Sequence, residues 1–411
     1  GIMAALTGRT PSGDDADGRG ASDEAPPRGS AVRGSSNMRG RATLGLDLDA
    51  VTAFVQRELI KSPKGGLTSL LPQRDSDPVV QALREATTAE RVLLVSLQAL
   101  QEGAYEAKHV PTMLHRLVIQ VRHTTLEEME RDPRLPELVD SCRRLLQAAP
   151  LDSHGAALML WSISLLHFQV PIFPAMDMLP EVFAVFPEVV EGMSTTNVTF
   201  SLSAVAKLYR EDDNVAALAP PLFAAAARDA PDLTTSQISQ VVWAAGELFA
   251  ADADIGIEAS ELLAGMSQAR IQGFKMQELC NLLWGLAQLD YSWDTSLLTW
   301  IAEAVADKAP KASANSARLD FPMIVCSMRL LNFVNDKLLQ AIAKRLMIKG
   351  NMRYVKDWGI AALMWAWPDV ATGTELQLYK AVEYQVGKRR ISPMAIARSR
   401  FGPYGWHKGV H

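Results

Sequence analysis

The 411-residue sequence is short of the groups that most enzymes and extracellular domains depend on. Its three cysteines, Cys142, Cys280 and Cys326, are too few and too scattered for a disulfide framework or a zinc site, and they fit a reducing compartment. There is no GxxxxGK[ST] phosphate loop, no GxGxxG after a strand, no HExxH and no GxSxG, so the signatures of phosphate-cradling, dinucleotide-binding, zinc-protease and serine-hydrolase chemistry are missing. His109 and His115 do not share a helix face, and His154, His167, His407 and His411 have no clustered carboxylate or thiolate partners. The carboxylate runs at 127–132 and 211–213 read as solvated faces or loops. No catalytic residue, metal or cofactor is expected, and the chain reads as non-enzymatic.

Strand-like alternation of useful length is also lacking, which leaves an all-α chain. Residues 155–176, GAALMLWSISLLHFQVPIFPAM, carry no Asp, Glu, Lys or Arg. They are not expected to span a membrane, because His167, Pro171 and Pro174 interrupt them and Trp161 falls in a register shared with plainly polar siblings.

That register is the strongest feature present. In ELCNLLWGLAQLDY, residues 278–291, Leu279, Leu282, Leu283, Leu286 and Leu289 form one apolar stripe and Cys280, Trp284, Ala287 and Tyr291 a second. Two stripes need two partners, and Glu278, Asn281, Gly285 and Gln288 remain as a narrow polar edge. Comparable segments start at the anchors Trp161, Ser203, Trp243, Trp284, Cys326 and Trp365, at intervals of 42, 40, 41, 42 and 39 residues. Leucine follows five places on in the first five: Leu166, Leu208, Leu248, Leu289 and Leu331. A second helix is predicted after each anchor, at about 177–190, 214–229, 256–269, 294–308, 335–348 and 373–388. Thr234 with Gln237 has capping-box spacing, Asp294 can cap the helix that holds Trp300, and Pro220 with Pro221 would delay or kink another. The expected architecture is a right-handed α-solenoid, an armadillo/HEAT-like superhelix of helix-turn-helix repeats of about 41 residues. The anchor tryptophans are expected to be core.

Four parts follow along the chain. Residues 1–45 are rich in Gly, Arg, Ser, Asp and Pro and cannot bury enough apolar surface to order themselves. Arg9, Arg19, Arg28, Arg33, Arg39 and Arg41 suit a targeting region, whereas Asp14, Asp15, Asp17, Asp23 and Glu24 do not. Residues 46–150 contain amphipathic segments, DLDAVTAFVQRELI, AERVLLVSLQALQ and LPELVDSCRRLLQ, outside the 41-residue register, and read as diverged repeats or an N-terminal cap. Residues 151–390 hold the six units, and 391–411 form a basic aromatic tail.

The net charge of −5 hides a division. Residues 150–319 hold 8 Lys and Arg against 20 Asp and Glu, while residues 320–411 hold 14 against 6. The basic part includes Lys337, Lys344, Arg345, Lys349, Arg353, Lys356, Lys380, Lys388, Arg389 and Arg390, followed by Arg398, Arg400 and Lys408 beside Phe401, Tyr404 and Trp406. Cations for phosphates and rings for unstacked bases are the ingredients of single-strand RNA binding. A solubilising terminus would have the same composition, and the acidic middle would repel an RNA path along the whole array.

The segments NLLWGLAQLDY, VVWAAGELF and LMLWSISLLHF resemble helices of organellar helical-repeat RNA-binding proteins: the octotricopeptide and heptatricopeptide repeat proteins, the FAST-kinase-like and RAP-domain proteins, and a repeat subunit of the RNA-editing substrate-binding complex. Their Leu-Trp-x-x-Ala-x-Leu core is matched here by Leu283, Trp284, Ala287 and Leu289. The resemblance covers residues 155 to about 390. It implies a protein of the mitochondrion or plastid that binds single-stranded RNA and supports its processing, editing, stability or ribosome assembly; without it, a cytoplasmic location is the expectation. The spacing near 41 lies in the armadillo/HEAT range, and neither a RAP domain nor a Pro-Pro-Pro-Glu-Trp signature is present. The alternative is an armadillo/HEAT-like scaffold that binds protein partners along an acidic groove.

Overall fold

The computed structural model describes residues 77–120, 134–169, 174–209, 212–248, 261–348, 351–367 and 374–398. All belong to the unit Leu44–His411; the unit Gly1–Thr43 lies outside the described residues. Also outside them are the expected helix at 47–60, the run at 127–132, Pro171, Lys349 and the tail from residue 399 onward.

Every regular element among the described residues is helical. The first four helices are α1 (Pro78–Glu85), α2 (Ala89–Gln101), α3 (His109–Gln120) and α4 (Arg134–Ala148). Next come α5 (Ser153–Gln169), α6 (Leu179–Val189), α7 (Thr195–Leu208), α8 (Ala219–Arg228), α9 (Thr235–Leu248) and the short α10 (Gln268–Gly273). The remainder are α11 (Met276–Gln288), α12 (Thr295–Lys308), α13 (Phe321–Leu330), α14 (Asp336–Met347), α15 (Asn351–Tyr354), α16 (Asp357–Ala366), α17 (Thr374–Arg389) and α18 (Pro393–Arg398). No helix among the described residues is long and apolar enough to cross a membrane.

The helices that carry the anchors pack in sequence: α5 on α7, α7 on α9, α9 on α11, α11 on α13, and α13 on α16. Helix α3 joins the same row ahead of α5. Beside it, α12 packs on α14 and α14 on α17. One hydrophobic core runs through both sets.

Local chemistry sets the starts. Thr234 and Gln237 exchange capping bonds, with the Thr234 amide donating to Gln237 Oε1 at 2.8 Å and the Gln237 amide to Thr234 Oγ1 at 3.3 Å. Asp294 caps α12 by accepting the Leu297 amide at 2.9 Å. Pro220 and Pro221 delay rather than kink their helix: a 3₁₀ stretch, Asp213–Leu218, precedes α8, and the prolines fall in its first turn, where no amide is needed. Pro322 sits farther from a free start, because a π-turn, Ser316–Asp320, runs directly into α13. Its missing N–H and bulky ring bar the ordinary ladder at this point, and the wider turn accommodates them.

Helix α11 shows why the anchor helices are apolar nearly all round. Trp284 is buried, and its indole N–H donates to Glu247 Oε1 of α9 at 3.1 Å. Half of the expected polar edge, Glu278 and Gly285, does not face water, while Asn281 and Gln288 are partly exposed. Glu278 is buried and accepts a hydrogen bond from Thr235 Oγ1 at 3.0 Å, and Gly285 is buried against the backbone of α9. A Cβ on Gly285 would collide with the Val242 carbonyl, lying 2.6 Å from its carbon and 2.9 Å from the Trp243 nitrogen. Gly246 faces it from α9, where a Cβ would come within 2.9 Å of Gly285 Cα. The edge is thus a seam between two backbones.

Trp161, Ser203, Trp243, Trp284 and Cys326 are all buried, as expected. Trp365 departs from the expectation and is only half-buried. It lies nine residues past the cap Lys356, as Trp284 does past Lys275 and Ser203 past Ser194. Helix α16 ends at Ala366, however, so this indole occupies a last turn instead of a helix middle. Trp367, at the C-cap, is the fully buried ring.

Two expected outcomes follow from this packing. In an unconstrained helix interior Gly→Ala adds about 1 kcal/mol of stability; Gly285→Ala is expected to lose about 1–3 kcal/mol or more through overpacking, read as a lower denaturation midpoint. His115, on α3, is buried against the Trp161 ring at 5.8 Å, and neither ring nitrogen has a hydrogen-bond partner. Burial first, then the nearby charges of Arg116 and His154, pushes its pKa down from 6.5 to about 3. The unfolded chain therefore takes up this proton below about pH 6.5 while the folded chain does not, and stability falls by up to about 1.4 kcal/mol per pH unit until about pH 3. His115→Phe should flatten that part of a stability-versus-pH curve.

Candidate nucleic-acid interface

The basic residues divide into two groups by what their side chains touch. Arg345, at the end of α14, is half-buried and donates through Nε to the Ala312 carbonyl at 3.1 Å. Arg389, at the end of α17, donates through Nη1 to the Val355 carbonyl at 2.7 Å and pairs with Asp357 at 2.8 Å. Both close a loop that precedes an anchor helix.

The same closure occurs earlier in the chain. Arg270 donates to the Leu233 carbonyl at 2.9 Å before α9, and Lys308 to the Gln272 carbonyl at 2.8 Å before α11. Hydrogen bonds from a charged donor to such loop carbonyls contribute about 1.5–3 kcal/mol each. Arg345 and Arg389 thus fasten the scaffold. Lys337 is also engaged, with Asp307 at 2.9 Å, although both side chains are exposed. Lys356 is half-buried at the N-cap of α16, and Lys349 lies outside the described residues.

What remains available is concentrated on α17. Lys380 and Lys388 are exposed and bracket Tyr384, which keeps 65% of its surface in solvent. Leu376, also exposed, extends the row. The four are spaced i, i+4, i+8 and i+12, so they lie along one face at steps of about 6 Å. The opposite face is held down by Leu378 and Val382, both buried, and by the Arg389 tether. Arg390 is exposed just beyond, in the left-handed region with φ 56°. Lys344 is exposed on the neighbouring α14, and Arg353 of α15 lies over the Tyr354 ring at 4.7 Å.

The remaining candidate chemistry is structural. The three cysteines are buried thiols, none in a disulfide, and burial raises the Cys326 thiol to about 12. His109 is buried between the Glu106 amide and Asp77, at 2.8 and 2.9 Å. No cluster of metal-ligating side chains occurs among the described residues.

Sequence reasoning missed two features. The closing cations were legible as a recurrence, since Arg270, Lys308 and Arg345 fall 38 and 37 residues apart. The other is Trp293, in the loop between α11 and α12, which keeps 65% of its surface exposed; no helical periodicity marks a loop residue.

Removal of a closing cation and removal of an exposed one should differ. Arg345→Ala is expected to cost about 1.5–3 kcal/mol, and Lys380→Ala or Lys388→Ala less than about 0.5 kcal/mol, measured by equilibrium unfolding. No protein-family model matches the chain, and no curated protein matches it.

Proposed function

We propose that the chain is a right-handed α-solenoid of about 41-residue repeats that binds single-stranded RNA through the exposed face of α17. The observation that carries this reading is the row Lys380, Tyr384, Lys388: a ring with a cation one helical turn to either side. An ammonium group at each end meets backbone phosphates, while the exposed ring offers a face on which an unstacked base can lie. A duplex presents no such base, so a single strand is the better fit. Arg390 and Lys344 extend the cationic surface, and Arg353 with Tyr354 adds a second ring.

The repeat architecture is supported by the packing order of the anchor helices and by the recurrent carbonyl-closing cations. The acidic part, with 20 Asp and Glu against 8 Lys and Arg over residues 150–319, is not on the RNA path. RNA processing, editing, stability or ribosome assembly in a mitochondrion or plastid is the corresponding role, taken from the resemblance of the anchor segments.

The test is binding of a fluorescent single-stranded RNA over a range of salt. With four cations engaged, log K should fall against log salt with a slope of about −2 to −3. The triple change Lys380→Glu, Lys388→Glu, Arg390→Glu should abolish binding, and Tyr384→Ala should weaken it by about 1–3 kcal/mol with the slope unchanged. Undiminished binding by the folded triple variant would overturn the placement.

A further inference from the structure

Two large aromatic side chains stand out as the most exposed among the described residues: Trp293 and Tyr384, each at 65%. They sit in opposite electrostatic settings. Trp293 packs at a 44° tilt against the buried Tyr291, with ring centroids 4.0 Å apart, and is flanked by exposed Asp290 and by Asp294. Its loop lies in the part of the chain with 20 acidic residues against 8 basic. Tyr384 stands between Lys380 and Lys388 in the part with 14 basic residues against 6 acidic.

We infer that these two surfaces are complementary, and that the Trp293 loop of one copy docks on the α17 face of a second copy. The loop is built to hold its ring out. Asp290 takes φ 53° to end α11, the amide of Tyr291 returns to the Leu286 carbonyl at 2.9 Å, and Asp294 is fixed as the cap of α12. Trp293 is thereby presented from a rigid turn, which lowers the ordering cost of binding. A fixed, exposed tryptophan ringed by polar groups is the composition of an interface anchor. The lysines of α17 supply what it lacks: cations for its π face and for the Asp290 carboxylate. The succeeding turn repeats the arrangement, with Asn332 at φ 49° and Val334 exposed ahead of the cap Asn335.

Such a contact is heterologous, because the two surfaces differ, so one copy can engage two others and chains can lengthen. It also uses the lysines assigned above to RNA, which makes RNA and a second copy competitors for α17. The self-association does not depend on that assignment, since it is measured without RNA.

The experiment is sedimentation velocity of the full chain over a range of concentration at low and high salt. Association that grows with concentration and weakens with salt is expected, and Trp293→Ala should weaken it by about 30-fold or more. Lys380→Glu with Lys388→Glu should do the same. Each of these variants keeps the surface that the other has lost, so an equal mixture of the two should form a discrete 1:1 dimer and nothing larger. At a protein concentration low enough to keep the unaltered chain monomeric, RNA binding by Trp293→Ala should equal that of the unaltered chain, which separates failure here from failure of the RNA reading. A chain that stays monomeric at low salt, association indifferent to Trp293→Ala, or a mixture that remains monomeric would each overturn the proposal.

Discussion

The structure depends on how closely successive anchor helices approach one another. Between α9 and α11 the limit is reached: Gly246 and Gly285 bring backbone against backbone, leaving no room for a methyl group on either side. Once the helices are this close, the flanking side chains have little choice. Trp284 must find a partner for its indole N–H within the seam and finds Glu247, and the buried Glu278 finds Thr235. An unpaired donor or carboxylate at these positions would cost more than the bond contributes. The polar groups therefore serve as register marks: sliding one helix along the other would break both pairs at once.

The same constraint explains what the second helices do. A row of anchor helices leaves its entry loops with backbone carbonyls that no helix ladder uses. Arg270, Lys308, Arg345 and Arg389 each reach back over more than thirty residues to one of them. A long, flexible cation can do this where a short side chain cannot, and its charge strengthens the bond. The exposure of α17 is a consequence of this fastening. With Leu378 and Val382 buried and Arg389 tied to Val355 and Asp357, the rotation of the helix is set. Lys380, Tyr384 and Lys388 are then directed to solvent together.

Much of this was legible in the amino-acid order because it is local or periodic. The all-helical class, the capping pair Thr234 and Gln237, the cap at Asp294 and the range 294–308 for a helix found at Thr295–Lys308 come from spacings within a few residues. Where the structure differs, most of the difference concerns what a side chain meets far along the chain; at Trp365 it is local. Gly285 was grouped with polar residues when its smallness is what matters. That Arg345 and Arg389 fasten the scaffold is not visible in composition, which does not show that a carbonyl lies within reach. Trp365 keeps its distance from the cap, but the helix around it ends one residue later. Helix α3 packs in the same row although its sequence carries no tryptophan to mark it.

Charge along the chain consequently says less about the surface than the division of 20 against 8 and 14 against 6 suggests. A cation that closes a carbonyl contributes its field to the surroundings but is held in place by the scaffold, whereas Lys380 and Lys388 are exposed. The distinction bears on any test by charge reversal. Replacing Arg389 with glutamate would set a carboxylate among the Met352, Arg353 and Val355 carbonyls and beside Asp357. That change loosens α17 itself, and lost binding would then report a displaced helix, not a lost contact. Reversal at the exposed Lys380 and Lys388 leaves the fastening of α17 in place, so a change in affinity there measures the surface.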